Sequence, residues 1–418
     1  MSEIIINGGK RLSGRVNVQG AKNSVLPVLA GTVLCGGESV VHNCPMLSDV
    51  ETSLKILEHL GCKCRREGGA VIVDSSGISE YDIPDSLMRE MRSSVVFLGA
   101  VIGRMGRAVI SSPGGCELGP RPIDLHLSAL ERMGVTITEE HGYLKCTAEN
   151  GLHGAEIHLG FPSVGATENI ILAAAVAAGV TVIHNAAKEP EISDLADFLN
   201  SAGARISGCG SDTVRIEGVK RLGGTEHSII PDRIVAATYM ACAAVTGGEI
   251  ELENVMPPHM VSLLWSFREC GCDISVSGKG LRLSAPERLH RIPTLRSLVY
   301  PGFPTDAGPV AVAMLASADG TSVFVENIFE NRYRYIDELN RFGTKIKTEG
   351  KTAVIEGVGE LSGAHAKATD LRGGAALVVA ALKAHGASEI GDTHHIERGY
   401  EKITERLSSL GADISYKR

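Results

Sequence analysis

The residues able to do chemistry lie in one loop and at a recurring set of helix starts. The stretch Pro113-Gly114-Gly115-Cys116-Glu117-Leu118-Gly119-Pro120-Arg121-Pro122-Ile123-Asp124 holds three glycines and three prolines in twelve residues. That composition excludes a regular helix or strand and predicts a loop. Its one thiol, Cys116, is followed five positions later by a guanidinium, Arg121. A thiol near positive charge ionises more readily than one in an apolar core. The other reactive residues precede strongly apolar segments: Lys22-Asn23, Met91-Arg92-Ser93, Ala166-Thr167, Pro231-Asp232-Arg233, Thr305-Asp306 and Asp370-Leu371-Arg372. A helix N-terminus carries unpaired N–H groups and the positive end of the dipole. Capping accounts for Ser, Thr and Asp there. It does not account for Lys22, Arg92, Arg233 and Arg372, because a cation at that end is unfavourable unless an anion joins it. The pattern points to an anionic ligand.

These starts recur because the chain is a repeat. An amphipathic segment ending in glycine, followed by an alternating segment, appears around Gly61, Gly134, Gly203, Gly271, Gly343 and Gly411, spaced 68 to 73 residues apart. Such a glycine suits a helix C-terminus, where positive φ is needed, and the alternation reads as a strand. Between the glycines lie six segments, 24–41, 94–110, 168–183, 234–252, 308–325 and 373–390, apolar almost all round. They predict helices enclosed on every side, each followed by a strand. Six units of about 70 residues are too long for a solenoid repeat and fit two three-fold clusters of an α/β protein.

At 418 residues the chain has room for two or three domains. With 44% hydrophobic and 22% charged residues it reads as a soluble globular protein. A net charge of -8 leaves no overall electrostatic footprint for nucleic acid or anionic lipid, so neither nucleic acid nor membrane is expected as a partner. Residues 1–7 lack the basic start and apolar core of a signal peptide. Among the ten cysteines, Cys62/Cys64 and Cys270/Cys272 are C-x-C pairs and no paired C-x-x-C occurs. Reduced, mostly buried thiols in a cytoplasmic protein, with no metal site, are the expectation.

At Gly20-Ala21-Lys22-Asn23, Pro113-Gly114-Gly115-Cys116, Arg121-Pro122-Ile123-Asp124, Ser163-Val164-Gly165-Ala166-Thr167 and Phe303-Pro304-Thr305-Asp306 the chain resembles the enolpyruvyl transferases. Further matches are Glu330-Asn331-Arg332, Asp370-Leu371-Arg372 and His395-Ile396-Glu397-Arg398-Gly399-Tyr400. The resemblance implies two inside-out α/β domains, each of three repeated units with helices packed inside and sheets outside. Residues 22–229 would form one, 1–21 with 230–418 the other, with the active site in the cleft between them. It also implies transfer of the enolpyruvyl group of phosphoenolpyruvate to the 3'-hydroxyl of UDP-N-acetylglucosamine, releasing phosphate, with no cofactor. Such an addition and elimination needs an acid, a base and several cations.

Carried over by position, Cys116 resembles the proton donor. Lys22, Arg121 and Arg398 resemble the cradle for phosphoenolpyruvate, with Arg332 and Arg372 close by. Asn23 and Asp306 match sugar contacts, and Asp306 is the candidate acceptor of the hydroxyl proton, unless it is only a helix cap. Arg92, the run Arg121, Pro122, Ile123, Asp124 and Leu125, the run Phe161, Pro162, Ser163 and Val164, and Ile328 match positions holding the uridine diphosphate and its ring. Two departures stand out: Gln19 replaces the usual serine, and Ala307-Gly308-Pro309 is smaller than the family's common sequence. The rival readings are the sister enzyme acting on shikimate 3-phosphate, which lacks the cysteine loop, and a catalytically idle relative that uses the cleft for regulation.

Overall fold

The six apolar segments form helices in the computed structural model, which describes residues 3–111, 123–278 and 280–417. They are α1 (Lys22–Thr32), α2 (Phe97–Met105), α3 (Val164–Ala174), α4 (Arg233–Val245), α5 (Gly308–Leu315) and α6 (Leu371–Lys383). Small side chains and the lack of a polar stripe let each be enclosed. All residues of α4 and α5 are buried, and in α1 only Asn23 is exposed. Around them lie amphipathic helices such as Ser48–His59 and Pro190–Ser201. The six marker glycines all adopt positive φ, from 84° at Gly343 to 106° at Gly203. There a Cβ would meet the following carbonyl, so the helix ends and the strand begins.

The chain divides into two units, each with its own hydrophobic core. Of the described residues, 20–111 and 123–230 form the central unit, while 3–19 and 231–417 form the terminal unit. Among the described residues there are five four-stranded sheets and one three-stranded sheet. The strand after each enclosed helix has an antiparallel partner on one side and a short parallel partner on the other. Thr321–Val325, for instance, pairs antiparallel with Thr352–Glu356 and parallel with Thr294–Arg296, Val323 lying opposite both Val354 and Thr294. In the three-stranded sheet the parallel partner shrinks to one bridge, Asp82 with Val109. Both units close on themselves: Glu226–Ser228 pairs with Glu38–His42 in the central unit. In the terminal unit Glu3–Asn7 pairs with Ala387–Gly391 and Asp413–Lys417, and Ser13–Asn17 with Glu249–Glu253.

The helix starts differ in detail from the sequence expectation. Ser163 caps α3, its hydroxyl accepting from Ala166 N at 3.3 Å, so Thr167 lies inside the helix rather than ahead of it. Lys22, Arg233 and Arg372 fall within first turns, and the 3-10 turn Arg92–Val96 leads into α2. Apolar periodicity locates a helix body, whereas cap geometry decides its first residue.

Behind three of the strands that follow enclosed helices stands an asparagine at positive φ: Asn43 (52°), Asn185 (57°) and Asn254 (55°). Each side-chain amide donates to the carbonyl just beyond the parallel strand, of Ile229, Leu159 and Val18, at 2.7 to 2.8 Å. Asn185→Ala should cost about 2 kcal/mol in urea unfolding, combining the left-handed strain of a Cβ without a local bond and the lost hydrogen bond. Asn185→Gly, which relieves the strain alone, should cost about half of that.

Candidate active site

In the central unit, α1 opens on a buried cation. Lys22 Nζ lies 2.8 Å from Asp49 Oδ2, and both side chains are almost wholly shielded. Asp49 sits in the first turn of Ser48–His59, where the helix dipole favours a carboxylate. One residue on, Asn23 is exposed, and Ser24 Oγ donates to the buried Asp194. Asp194 also takes His227 Nε2 at 2.9 Å and Ile230 N at 3.4 Å. The polar start of α1 is thus tied to the end of the unit's last strand.

The described residues of the two runs expected to hold the nucleotide lie in the same unit. Ile123 and Asp124 open the helix Asp124–Arg132, with Asp124 exposed and Leu125 half-buried. Phe161, 45% exposed, leads with Pro162 into Ser163 and Val164 at the start of α3. Asn169 Oδ1 accepts from Gly99 N at 2.6 Å, which turns Nδ2 toward His126 Nδ1 at 2.9 Å. A Cβ on Gly165 would lie 3.1 Å from the His126 ring, so glycine lets the two helix starts adjoin. In α3 burial, followed by Glu191 and Glu189, raises the Glu168 carboxyl well above its usual range. Arg92 opens its 3-10 turn. Cys116, Arg121 and Pro122 lie outside the described residues.

The terminal unit gathers a carboxylate and two guanidiniums. Asp306 lies in the 3-10 turn Thr305–Ala307, and no side chain caps α5. Its two oxygens meet Arg332 Nη2 at 3.1 Å and Arg372 Nη2 at 3.3 Å. Arg332 and Arg372 are 3% and 2% exposed, Asp306 28%. Burial works against the charge on Arg372, but Tyr400, Asp306 and Asp232 outweigh it and raise its pKa. Among the described residues, Arg372 Nε and Nη1 and Arg332 Nε find no hydrogen-bond partner. A buried N–H left unmade costs about 1–3 kcal/mol, more on a charged group, so an anion placed there would satisfy an existing need. Arg398, half-buried, follows the short helix His394–Glu397. A Cβ on Gly399 would lie 2.7 Å from Leu371, so the turn carrying Arg398 packs closely on the start of α6. Ile328 is half-buried in the turn after Thr321–Val325.

Both departures acquire a role. Gln19 is buried, donating to Gly399 O at 3.2 Å and accepting from Glu401 N at 2.7 Å, which braces the turn after Arg398. Gly308 makes room for the Phe324 ring, 2.8 Å from where a Cβ would stand. Sequence reasoning missed Asp49, Asp194, His126 and Glu326. The first three carry no signal beyond an ordinary helical carboxylate or histidine; the fourth has one in the spacing of the repeat. Among the described residues the nine cysteines are free thiols, and no group of three or more His, Cys, Asp and Glu is placed to hold a metal. No helix there is long and apolar enough to cross a membrane.

A family model described as EPSP synthase (3-phosphoshikimate 1-carboxyvinyltransferase) matches residues 6–407. The chain is 51% identical over 414 residues to UDP-N-acetylglucosamine 1-carboxyvinyltransferase 2 of Caldanaerobacter subterraneus subsp. tengcongensis, covering 99% of each. It is 48% identical over 416 residues to UDP-N-acetylglucosamine 1-carboxyvinyltransferase 1 of Symbiobacterium thermophilum, covering 98% of this chain and 94% of that one. Among solved structures, the enolpyruvyl transferase NikO from Streptomyces tendae superposes with a TM-score of 0.89 at 23% identity, covering 100% of this chain and 99% of that one. An EPSP synthase from Acinetobacter baumannii gives 0.78 at 20% identity, with full coverage of both. At such identities the structural likeness shows the fold alone.

Burial pushes the His126 imidazole down from 6.5 to about 4. The ring stays neutral in the fold while the unfolded chain takes up a proton, so the stability tied to it is complete above about pH 6.5 and drains away toward pH 4. Urea unfolding should show about 2 kcal/mol lost from this group between pH 7.5 and 5. His126→Gln, which keeps an acceptor for Asn169, should flatten the dependence by that amount; an unchanged slope would contradict the assignment.

Proposed function

Since this chain belongs to the enolpyruvyl (1-carboxyvinyl) transferase family, we propose that it transfers the enolpyruvyl group of phosphoenolpyruvate to the 3'-hydroxyl of UDP-N-acetylglucosamine, releasing phosphate. This is the first committed step of peptidoglycan synthesis, and we place it in the cytoplasm. The observation that carries the reading is the pair of buried guanidiniums beside Asp306 with N–H groups that no described residue meets. Near full-length identity to two carboxyvinyltransferases named for the nucleotide sugar supports that acceptor over shikimate 3-phosphate.

In this reading the Cys116 thiol gives its proton to the methylene carbon of phosphoenolpyruvate. Positive charge develops at the central carbon, and the sugar oxygen attacks it as Asp306 accepts the hydroxyl proton. The resulting ketal returns a methyl proton to the Cys116 thiolate as the C–O bond to phosphate breaks, so the double bond reforms and phosphate departs. Lys22, Arg121 and Arg398, with Arg332 and Arg372, balance the carboxylate and phosphate throughout. Arginine forks suit paired oxygens, while Lys22 supplies a point charge. Asn23 contacts the sugar; Arg92, residues 121–125 and 161–164, and Ile328 hold the uridine diphosphate. The reading draws on residues of both units. Cys116 is also the thiol that fosfomycin, an electrophilic mimic of phosphoenolpyruvate, would alkylate.

Phosphate release from phosphoenolpyruvate should require UDP-N-acetylglucosamine and fall at least a hundredfold (about 3 kcal/mol of barrier) in Cys116→Ser. Equal release with shikimate 3-phosphate would favour the sister activity, and none with either acceptor the idle relative.

A further inference from the structure

Glu326 is out of step with the repeat. Asn43, Asn185 and Asn254 stand six residues after Gly37, Gly179 and Gly248, and each straps its strand to the chain beyond the parallel partner. In the fifth repeat Asn327 makes the same bond, Nδ2 to Ser297 O at 3.0 Å, but seven residues after Gly320. The additional residue is Glu326, with no solvent exposure. Its Oε1 accepts from Ser297 Oγ and Ile328 N, both at 2.8 Å, and from Phe329 N at 3.1 Å. Its Oε2 accepts from Thr305 Oγ1 at 2.8 Å.

A buried carboxylate is costly unless its oxygens are met, and three other sheets manage this corner with the asparagine alone. The donors to Glu326 explain the difference. Thr305 directly precedes Asp306, and its carbonyl accepts from Arg332 Nη2 at 3.2 Å. Ile328 is the residue assigned to the nucleotide, and the ring of Phe329 lies 5.6 Å from the Arg332 guanidinium. One carboxylate therefore ties together the turn that presents Asp306 and the turn that presents Ile328.

We propose that Glu326 is a positioning residue for the transfer reaction: through Thr305 it fixes Asp306 on the acceptor hydroxyl, and through the Ile328 and Phe329 amides it fixes the nucleotide side of the pocket. The proposal rests on the transferase reading. Glu326 touches no substrate in this scheme, and its effect runs through Thr305 and the backbone of residues 328 and 329. Misplacing a reacting group by about 1 Å can cost about a hundredfold in rate.

The test is steady-state kinetics on the full chain with each substrate varied, beside thermal melts, for Thr305→Val, Thr305→Ser and Glu326→Gln. Thr305→Val removes one donor and keeps the shape. It should lower kcat about tenfold or more while the KM for phosphoenolpyruvate stays within about twofold. Thr305→Ser, which restores the donor, should recover most of the loss. Glu326→Gln, with one oxygen left to accept, should in addition raise the KM for UDP-N-acetylglucosamine. If Glu326→Gln does not fold, the two Thr305 variants decide alone. Variants that melt lower but keep wild-type kcat and both KM values would overturn the positioning role, as would a Thr305→Ser no better than Thr305→Val. A wild-type chain that releases no phosphate would overturn the transferase reading and this role with it.

Discussion

The terminal unit is organised around a charge cluster: one partly exposed carboxylate, Asp306, meets two guanidiniums that water scarcely reaches. Burying two cations side by side is unfavourable by itself. The cluster persists because the surrounding fold pins each member. Asp370 caps α6, accepting from Arg372 N and Gly373 N at 3.0 Å, and so sets Arg372. The Tyr400 ring, 5.4 Å from the Arg372 guanidinium, has its hydroxyl fixed to Thr238 at 2.9 Å. A Cβ on Gly373 would lie 2.6 Å from Asp370 and 2.7 Å from Tyr335, so the helix start leaves no slack. The remaining N–H groups are thereby preorganised for an anion, the arrangement that lets electrostatics lower a barrier without reorganisation.

The repeat supplies the frame and its irregularities supply the residues of the candidate site. Six enclosed helices bring six polar starts to equivalent places, but these do not carry equivalent residues. Where the repeat needs only closure, Ser163, Asp232 and Asp370 cap in the ordinary way. At α1 the first residue is a lysine neutralised from the next helix along the chain. At α5 the capping position passes to Ala307, which frees the neighbouring carboxylate to face arginines. The strand ends follow the same logic, uniform asparagine straps giving way to Glu326 beside that carboxylate.

What the sequence discloses is what local chemistry dictates. The six glycines mark helix ends because positive φ is a property of the residue itself, and apolar periodicity finds the enclosed helices because enclosure removes the polar stripe. The family motifs, matched in register, nominate the residues of the candidate site. What escapes are partners far apart along the chain: Asp49 for Lys22, Asp194 for Ser24 and His227, Gln19 for the Gly399–Glu401 backbone. Each reads alone as an ordinary helical or loop residue, and only folding gives it a partner. Glu326 lies between these cases, since its one-residue shift is visible in the spacing although its four donors are not. The pairing of Asp306 with Arg332 and Arg372 likewise excludes the plain cap that the sequence leaves open.

In the proposed reaction buried guanidinium forks, and not charge alone, receive the donor substrate. Calorimetric titration of phosphoenolpyruvate into the wild-type chain and into Arg372→Lys tests it most directly, because lysine keeps the charge and loses the planar fork. The affinity should be at least about tenfold weaker in the variant. Equal affinity would contradict it.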